Sequence, residues 1–318
     1  FDLDSSVVFR LEREDDQMGR DLNAAGTVNS NAYVTSQYFD YQRRITNNIY
    51  GTFGARFDEH SLAGGTGSNE DSHRATLAYV FDDKTTKLKS SYGTGYRFPS
   101  LFEMKYAYRA GSNTLPFVKA ETSQSYDFGI EKSISPNLFI DLTYFNVKYF
   151  DALEGWKSNT AGGTSSTQNT IATVKSQGIE LMSKYKLNEL FNFGLNYTYT
   201  SSYDGADEDN LSGPDSGSQM VRVPRNLVNL ITNIKVPAYK DLDITLRTKW
   251  SDKARDYGNG NATSDKSPAF QNETLDSYLV NDLSLRYNFF NSYNLYFDIT
   301  NVFDKKYETA LQYSQMDR

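Results

Sequence analysis

The chain has 318 residues, no cysteine, and 33 Lys and Arg against 40 Asp and Glu, for a formal charge of −7. The missing thiols exclude disulfide scaffolds, thiolate metal sites and cysteine nucleophiles, and the acidic balance argues against nucleic acid as a partner. A mean hydropathy of −0.63 and the lack of an apolar run near 18 residues exclude membrane-spanning helices, but not membrane-spanning strands, which are apolar on one face only.

Aromatic residues make up 14% of the chain, with 24 Tyr and 20 Phe against 7 Pro. An aromatic-rich yet polar chain fits a barrel with aromatic girdles at both membrane interfaces. No charged, then apolar, leader opens the sequence at Phe1, so a signal peptide is expected to have been removed upstream.

In chain order, a first strand is expected at about 3–12. A less regular one follows at 30–42, where Thr35 and Gln37 interrupt the apolar row. Ala75, Leu77, Tyr79 and Phe81 then alternate with polar residues, as do Ile179, Leu181, Tyr185 and Leu187. Phe191, Phe193, Leu195, Tyr197 and Tyr199 form the cleanest row, with Asn192, Gly194, Asn196 and Thr198 between them. Leu242, Ile244, Leu246 and Trp250 continue the pattern, then Leu279, Leu283, Leu285, Tyr287 and Phe289, then Tyr293, Leu295, Phe297, Ile299 and Phe303. Period-two rows place one apolar and one wet face on each strand.

Two features favour a membrane barrel over a soluble sandwich. The strands run about 10 residues or more, enough to cross a bilayer when tilted. Short turns near 82–86, 133–137, 187–190, 237–240 and 289–292 alternate with long loops near 59–70, 97–120, 151–170, 203–223 and 253–275, the asymmetry of periplasmic turns and extracellular loops. The fold class is therefore all-β, a transmembrane antiparallel β-barrel in the bacterial outer membrane, with about thirteen strands in one partial barrel domain over 1–318. An odd count cannot close a bacterial barrel, so part of a larger sheet is expected, and alone it would be open and prone to aggregate.

Catalytic and metal chemistry has little foothold. The two histidines, His60 and His73, flank the 59–70 loop beside Asp58, Glu59, Glu70 and Asp71, a conceivable metal site or simply a charged rim. Asp204, Asp207, Glu208, Asp209 and Asp215 lack EF-hand spacing and read first as a solvated loop, with calcium as the alternative. No cofactor, no metal and no enzyme activity is expected, because no triad or carboxylate pair can be assembled. Gly93-Thr94-Gly95 and Gly258-Asn259-Gly260 do not open a helix after a buried strand and so are not phosphate loops. Ligand contacts are expected among loop aromatics and arginines, Tyr106, Tyr108, Arg109, Trp156, Arg255, Tyr257 and Tyr313, with an interface-girdle or loop-packing role as the equal alternative for each.

Several segments, in order, carry a resemblance. Ser91-Tyr92-Gly93-Thr94-Gly95-Tyr96-Arg97-Phe98-Pro99-Ser100-Leu101-Phe102-Glu103 resembles a strand-to-loop segment of TonB-dependent receptors. So do Asn113-Thr114-Leu115-Pro116 with Glu121-Thr122-Ser123 (interrupted by Phe117 to Ala120), Tyr144-Phe145-Asn146, Gln177-Gly178-Ile179-Glu180, Arg222-Val223-Pro224-Arg225-Asn226, and Asn301-Val302-Phe303-Asp304-Lys305-Lys306-Tyr307-Glu308. The ending Tyr307-Glu308-Thr309, Tyr313 and Arg318 looks most like the vitamin B12 (cobalamin) receptor branch.

The resemblance implies a 22-stranded barrel around an N-terminal plug. The chain would supply the ninth strand through the loop before the last, without the plug, the TonB box or the closing strand. It implies outer-membrane lipid and lipopolysaccharide as surroundings, and a TonB complex acting through that missing N-terminal segment. The cargo would be cobalamin or another corrinoid first, with a ferric siderophore or haem as the alternative. Gly93 and Gly95 would then be where the plug backbone comes close. The charges Arg56, Asp58, Lys87, Lys89, Glu180, Lys184, Lys186, Arg247, Lys249, Asp282 and Arg286 would line a wet wall, some of them holding the plug. A passive porin, an outer-membrane protease or lipase, and a secreted all-β adhesin are the rival classes.

Overall fold

The computed structural model describes residues 4–21, 27–62, 67–101, 119–159, 164–169, 173–205, 219–236, 242–256, 273–289, 293–311 and 313–314. Its strands are β1 (Ser5–Asp21), β2 (Thr27–Arg44), β3 (Ile49–Leu62), β4 (Ser68–Val80), β5 (Thr86–Arg97), β6 (Glu121–Ser135), β7 (Leu138–Phe150), β8 (Leu153–Asn159), β9 (Thr164–Asn169) and β10 (Thr173–Lys186). They continue with β11 (Phe191–Gly205), β12 (Asn226–Lys235), β13 (Leu242–Ser251), β14 (Ala254–Asp256), β15 (Glu273–Leu275), β16 (Tyr278–Phe289), β17 (Tyr293–Ile299), β18 (Glu308–Ala310) and β19 (Tyr313–Ser314).

Thirteen of these form one antiparallel sheet in the order β1-β2-β3-β4-β5-β6-β7-β10-β11-β12-β13-β16-β17; the two-stranded ribbons β8–β9 and β14–β15 lie in its connections, and a third, β18–β19, follows β17. All-neighbour order is what consecutive hairpins build, and it matches the thirteen strands expected from the sequence. Among the described residues, β1 and β17 are the margins of the sheet, each paired on one side only.

The apolar rows join across the sheet. Leu142 faces Leu181, Leu181 faces Tyr197, and Tyr197 faces Val228. Val228 then faces Trp250, which faces Leu279. Large apolar side chains on this face stay open: Phe53 is 47% exposed, Phe128 54% and Leu77 50%. The buried apolar side chains among the described residues are few and mostly small, such as Ala32, Ala120 and Ala254. A soluble domain cannot leave one continuous greasy sheet face in water. A bilayer supplies the apolar solvent on that side, and each strand between β1 and β17 finds backbone partners in both neighbours.

Several boundaries differ from expectation. β1 continues to Asp21 rather than stopping near 12, because β2 runs alongside it as far as Thr27. Strands also cover much of the expected 59–70 loop, with β3 reaching Leu62 and β4 starting at Ser68. The expected 151–170 loop holds the β8–β9 ribbon, and the 253–275 loop is bracketed by β14–β15. Phe303 leaves its row: β17 stops at Ile299, and Asn301 and Asp304 take positive φ in the turn that follows.

The described short turns sit at one end of the sheet and are fixed by side chains. In the 81–85 turn, Asp83 accepts the backbone N–H groups of Thr85 at 2.8 Å and Thr86 at 2.9 Å, and the Lys132 ammonium at 3.0 Å. These donors hold its carboxyl well below the ordinary value of 3.8, the Thr85 amide first. The depressed pKa means the turn gains stability above pH 4 and loses it as pH falls below that. In the full-length protein, hydrogen exchange at Thr85 and Thr86 is expected to accelerate on going from pH 6 to pH 3 relative to Asn48 and Ile49 in the 45–48 turn. That second turn is the natural reference, since the neutral hydroxyl of Thr46 caps it by accepting from the Asn48 and Ile49 N–H. An Asp83→Asn variant should show no such difference between the two turns.

Candidate functional site

The face opposite the apolar rows carries the charges, and the rows bring them together. On β2, β3 and β4, Asp40, Gly54 and Arg74 share one line of register. Arg74 reaches across β3 to donate to Asp40 at 2.8 Å, and it can do so because residue 54 has no side chain. A Cβ there would stand 3.2 Å from both Arg74 Nε and Asp40 Oδ2. The Tyr38 hydroxyl and Gln42 Nε2 also donate to Asp40, which is 4% exposed. Next along the strands, Arg56 donates to Asp58 at 2.9 Å and to Ser36 Oγ at 3.1 Å.

The same device recurs on β5, β6 and β7. Lys89 crosses Gly129 to pair with Asp141 at 2.6 Å and with Glu131 at 3.3 Å, and Lys87 pairs with Glu131 at 2.9 Å. A Cβ on Gly129 would lie 2.6 Å from Lys89 Cε. Ser91 donates to Asp127 in the adjoining row. Glycine on the wet face thus makes room for long cations to bridge two strands away, a close-approach role for strand glycine.

The predicted wall residues therefore divide. Arg56 and Lys87 spend their charge on neighbours within the wall. Arg247 donates to Ser284 Oγ at 2.8 Å, Arg286 lies over the Tyr296 ring at 5.7 Å, and Lys249 lies 5.9 Å from the Tyr278 ring centre. Lys186 pairs with Glu189, and Asp282 accepts the backbone N–H of Asn301. Glu180 and Lys184, both exposed on the wet face of β10, have no ion-pair partner among the described residues. Gly93 and Gly95 lie in the same wet rows. At Gly93 a Cβ would find only ordinary contacts within the wall, 3.7 Å from Ser125 Oγ. Sequence reasoning missed Asp40, Arg74, Asp127, Glu131 and Asp141, although each falls on a polar row of the alternation and was in that sense visible.

The histidine pair separates. His60 sits on the wet face, 6% exposed, with its ring stacked on Phe98 at 4.6 Å. His73 is on the opposite face beside Tyr92. They flank one connection, as expected, but from the strands β3 and β4 and on opposite faces, and among the described residues no group of three or more possible metal ligands forms. The run from 206 to 215, with Asp207, Glu208, Asp209 and Asp215, lies outside the described residues, as do Tyr106, Tyr108, Arg109 and Tyr257.

At the long-loop rim a buried carboxylate organises three connections. Asp256, 1% exposed, accepts Arg222 Nε at 2.8 Å and the Leu311 backbone N–H at 2.7 Å. Arg222 takes φ 60 and donates its own backbone N–H to Arg255 O. Arg255, a predicted ligand contact, instead donates to Gln219 O at 2.9 Å, inside the rim packing. Trp156 lies on β8, and Tyr313, on β19, is 72% exposed. The Arg222-to-Asn226 segment thus earns its residues by clamping the rim, and Asn301 shapes the final turn through paired bonds with the Lys305 backbone.

Comparison with known proteins agrees with this architecture. No curated protein matches the sequence. Solved structures do: the ferripyoverdine receptor of the outer membrane of Pseudomonas aeruginosa is 20% identical, with a TM-score of 0.68 over 89% of this chain and 36% of its own. The copper transporter OprC is 15% identical, with a TM-score of 0.74 over 96% and 49%. The ferric yersiniabactin uptake receptor FyuA from Yersinia pestis is 19% identical, with a TM-score of 0.65 over 96% and 47%. The chain spans between about a third and a half of the length of these structures. The family model described as TonB dependent receptor-like, beta-barrel matches residues 5–302, so the chain belongs to that family of receptors and transporters and resides in the bacterial outer membrane.

Proposed function

We propose that the full-length protein imports a scarce nutrient across the outer membrane, with energy delivered by a TonB complex to a plug that this chain surrounds in part. Support comes from the wet wall. Most of its charges are matched in place by Arg74–Asp40, Arg56–Asp58 and Lys89–Asp141, while Glu180 and Lys184 remain to meet a plug. A wall that is already neutralised can let a plug move without stranding buried charges, whose unpaired burial is costly. A passive porin would need no such plug contacts.

The cargo we favour is a ferric siderophore or another metal chelate. The matched structures named for ferripyoverdine, ferric yersiniabactin and copper transport lend it weight. Cobalamin is the second reading, carried by the ending Tyr307-Glu308-Thr309 with Tyr313. Binding of ferric pyoverdine, a ferric catecholate, copper ion and cyanocobalamin to the full-length protein in detergent separates these. Submicromolar affinity for an iron chelate alone is expected. Affinity for cyanocobalamin alone would transfer the cargo to the second reading.

A further inference from the structure

The wet wall is not neutralised along its whole height. At the long-loop end of β1–β4, one line of register runs through Glu12, Ser36, Asp58 and Glu70, and the next through Glu14, Val34, His60 and Ser68. Asp16 is the following wet-face residue on β1. Arg10 pairs with Glu12, and Arg56 with Asp58. The wet-face cation at the end of β5, Arg97, pairs with Glu121. Glu14, Asp16 and Glu70 have no ion-pair partner among the described residues.

His60 stands among these carboxylates. It is 6% exposed, its ring lies 17° from parallel to Phe98, and Tyr96 backs the Phe98 ring at 5.3 Å. A ring fixed in this way has its nitrogens aimed before any ligand arrives. His60 makes no hydrogen bond with the described residues, yet neither ring nitrogen is enclosed, so an acceptor stays open on the wet side. Asp16 is the charge that acts on the ring. A buried polar ring left without a partner calls for one. Unmatched carboxylates around it attract cations. No group of three or more possible metal ligands forms among the described residues, which directs the choice to an organic cation that donates hydrogen bonds.

We propose that this pocket receives an ammonium or guanidinium group carried by the cargo. The cation would donate to a His60 ring nitrogen, and Glu14, Asp16 and Glu70 would balance its charge. The inference rests on the reading of the cargo as a metal chelate and narrows it to chelates with a free basic group. Its place argues for cargo rather than plug, because His60 lies beyond the Arg74–Asp40 and Arg56–Asp58 pairs, toward the long loops where cargo enters.

The test measures binding to the full-length protein in detergent of ferrioxamine B, an iron chelate with a free ammonium group, and of its N-acetylated form, which has none. A ferric catecholate is measured beside them. Wild type is expected to bind the ammonium form about tenfold more tightly or better. E14Q/E70Q and H60F should each lose most of that preference. E59Q, which removes a carboxylate from the opposite face of β3, should keep it. Equal affinity of wild type for the two forms, or affinity for neither, would overturn the proposal whether or not the variants assemble. If the catecholate still binds, the transport reading survives that failure; if no chelate binds, both fall. Undiminished preference in E14Q/E70Q or in H60F would overturn the proposal too. Equal affinity together with a lowered melting temperature of E14Q/E70Q would assign the pocket to a basic side chain of the plug instead.

Discussion

Replacing Gly178 with alanine is expected to cripple assembly of the barrel. A Cβ at this position would sit 1.9 Å from the Tyr199 carbonyl oxygen and 2.8 Å from the Phe145 ring. The first neighbour is backbone in a paired strand and cannot rotate away, so β10 must shift against β11. Overpacking of this kind costs about 3 kcal/mol or more. The Phe145 ring lies across the bare backbone of Gly178, an aromatic covering a strand glycine as in designed sheets. That ties Tyr144-Phe145-Asn146 to Gln177-Gly178-Ile179-Glu180, two segments that meet in register although Asn146 and Gln177 are 31 residues apart. The full-length G178A protein should lose most heat-resistant barrel mobility in outer-membrane extracts. G93A should assemble normally, since its Cβ meets nothing in the wall closer than 3.7 Å.

Asp256→Ala should loosen the rim with a smaller effect on the barrel. It leaves the Leu311 N–H without its acceptor and removes the anion facing Arg222. The Arg222 side chain is half exposed and recovers part of its solvation, so the loss is about 1–3 kcal/mol and local. Hydrogen exchange should accelerate at Arg222 and Leu311 while the β10–β11 ladder keeps its protection. If ligand is gripped at the rim, affinity should fall as well. D256N separates the two bonds, since its amide oxygen still accepts from Leu311 while the charge opposite Arg222 is gone.

The sheet was legible because its physics is local. Alternation decides the face of every side chain, so rows such as Phe191 to Tyr199 and Leu242 to Trp250 could be read without knowing any partner strand. Strand ends were less legible. β1 and β3 extend beyond their apolar rows because the ladder continues where neither face is greasy, as at Asp58 opposite Glu70. The rim clamp was invisible for another reason: Asp256, Arg222 and Leu311 meet through tertiary packing, and Asp256 looked like one more polar loop residue. Misplacing the histidines followed from assigning residues near 60 to a loop. In a loop the faces are undefined, whereas on strands His60 and His73 point to opposite sides. The ion pairs through Gly54 and Gly129 show a signal that could have been used. A glycine on the wet row, flanked in register by a cation and an acid, marks a bridge across two strands.

The most direct test of the account is uptake of radiolabelled ferric siderophore by cells expressing the full-length protein, compared between a strain with TonB and one lacking it. Accumulation that requires both the protein and TonB is the predicted result. Accumulation that requires the protein but is unchanged when TonB is lost would contradict it and leave a passive pore as the better description.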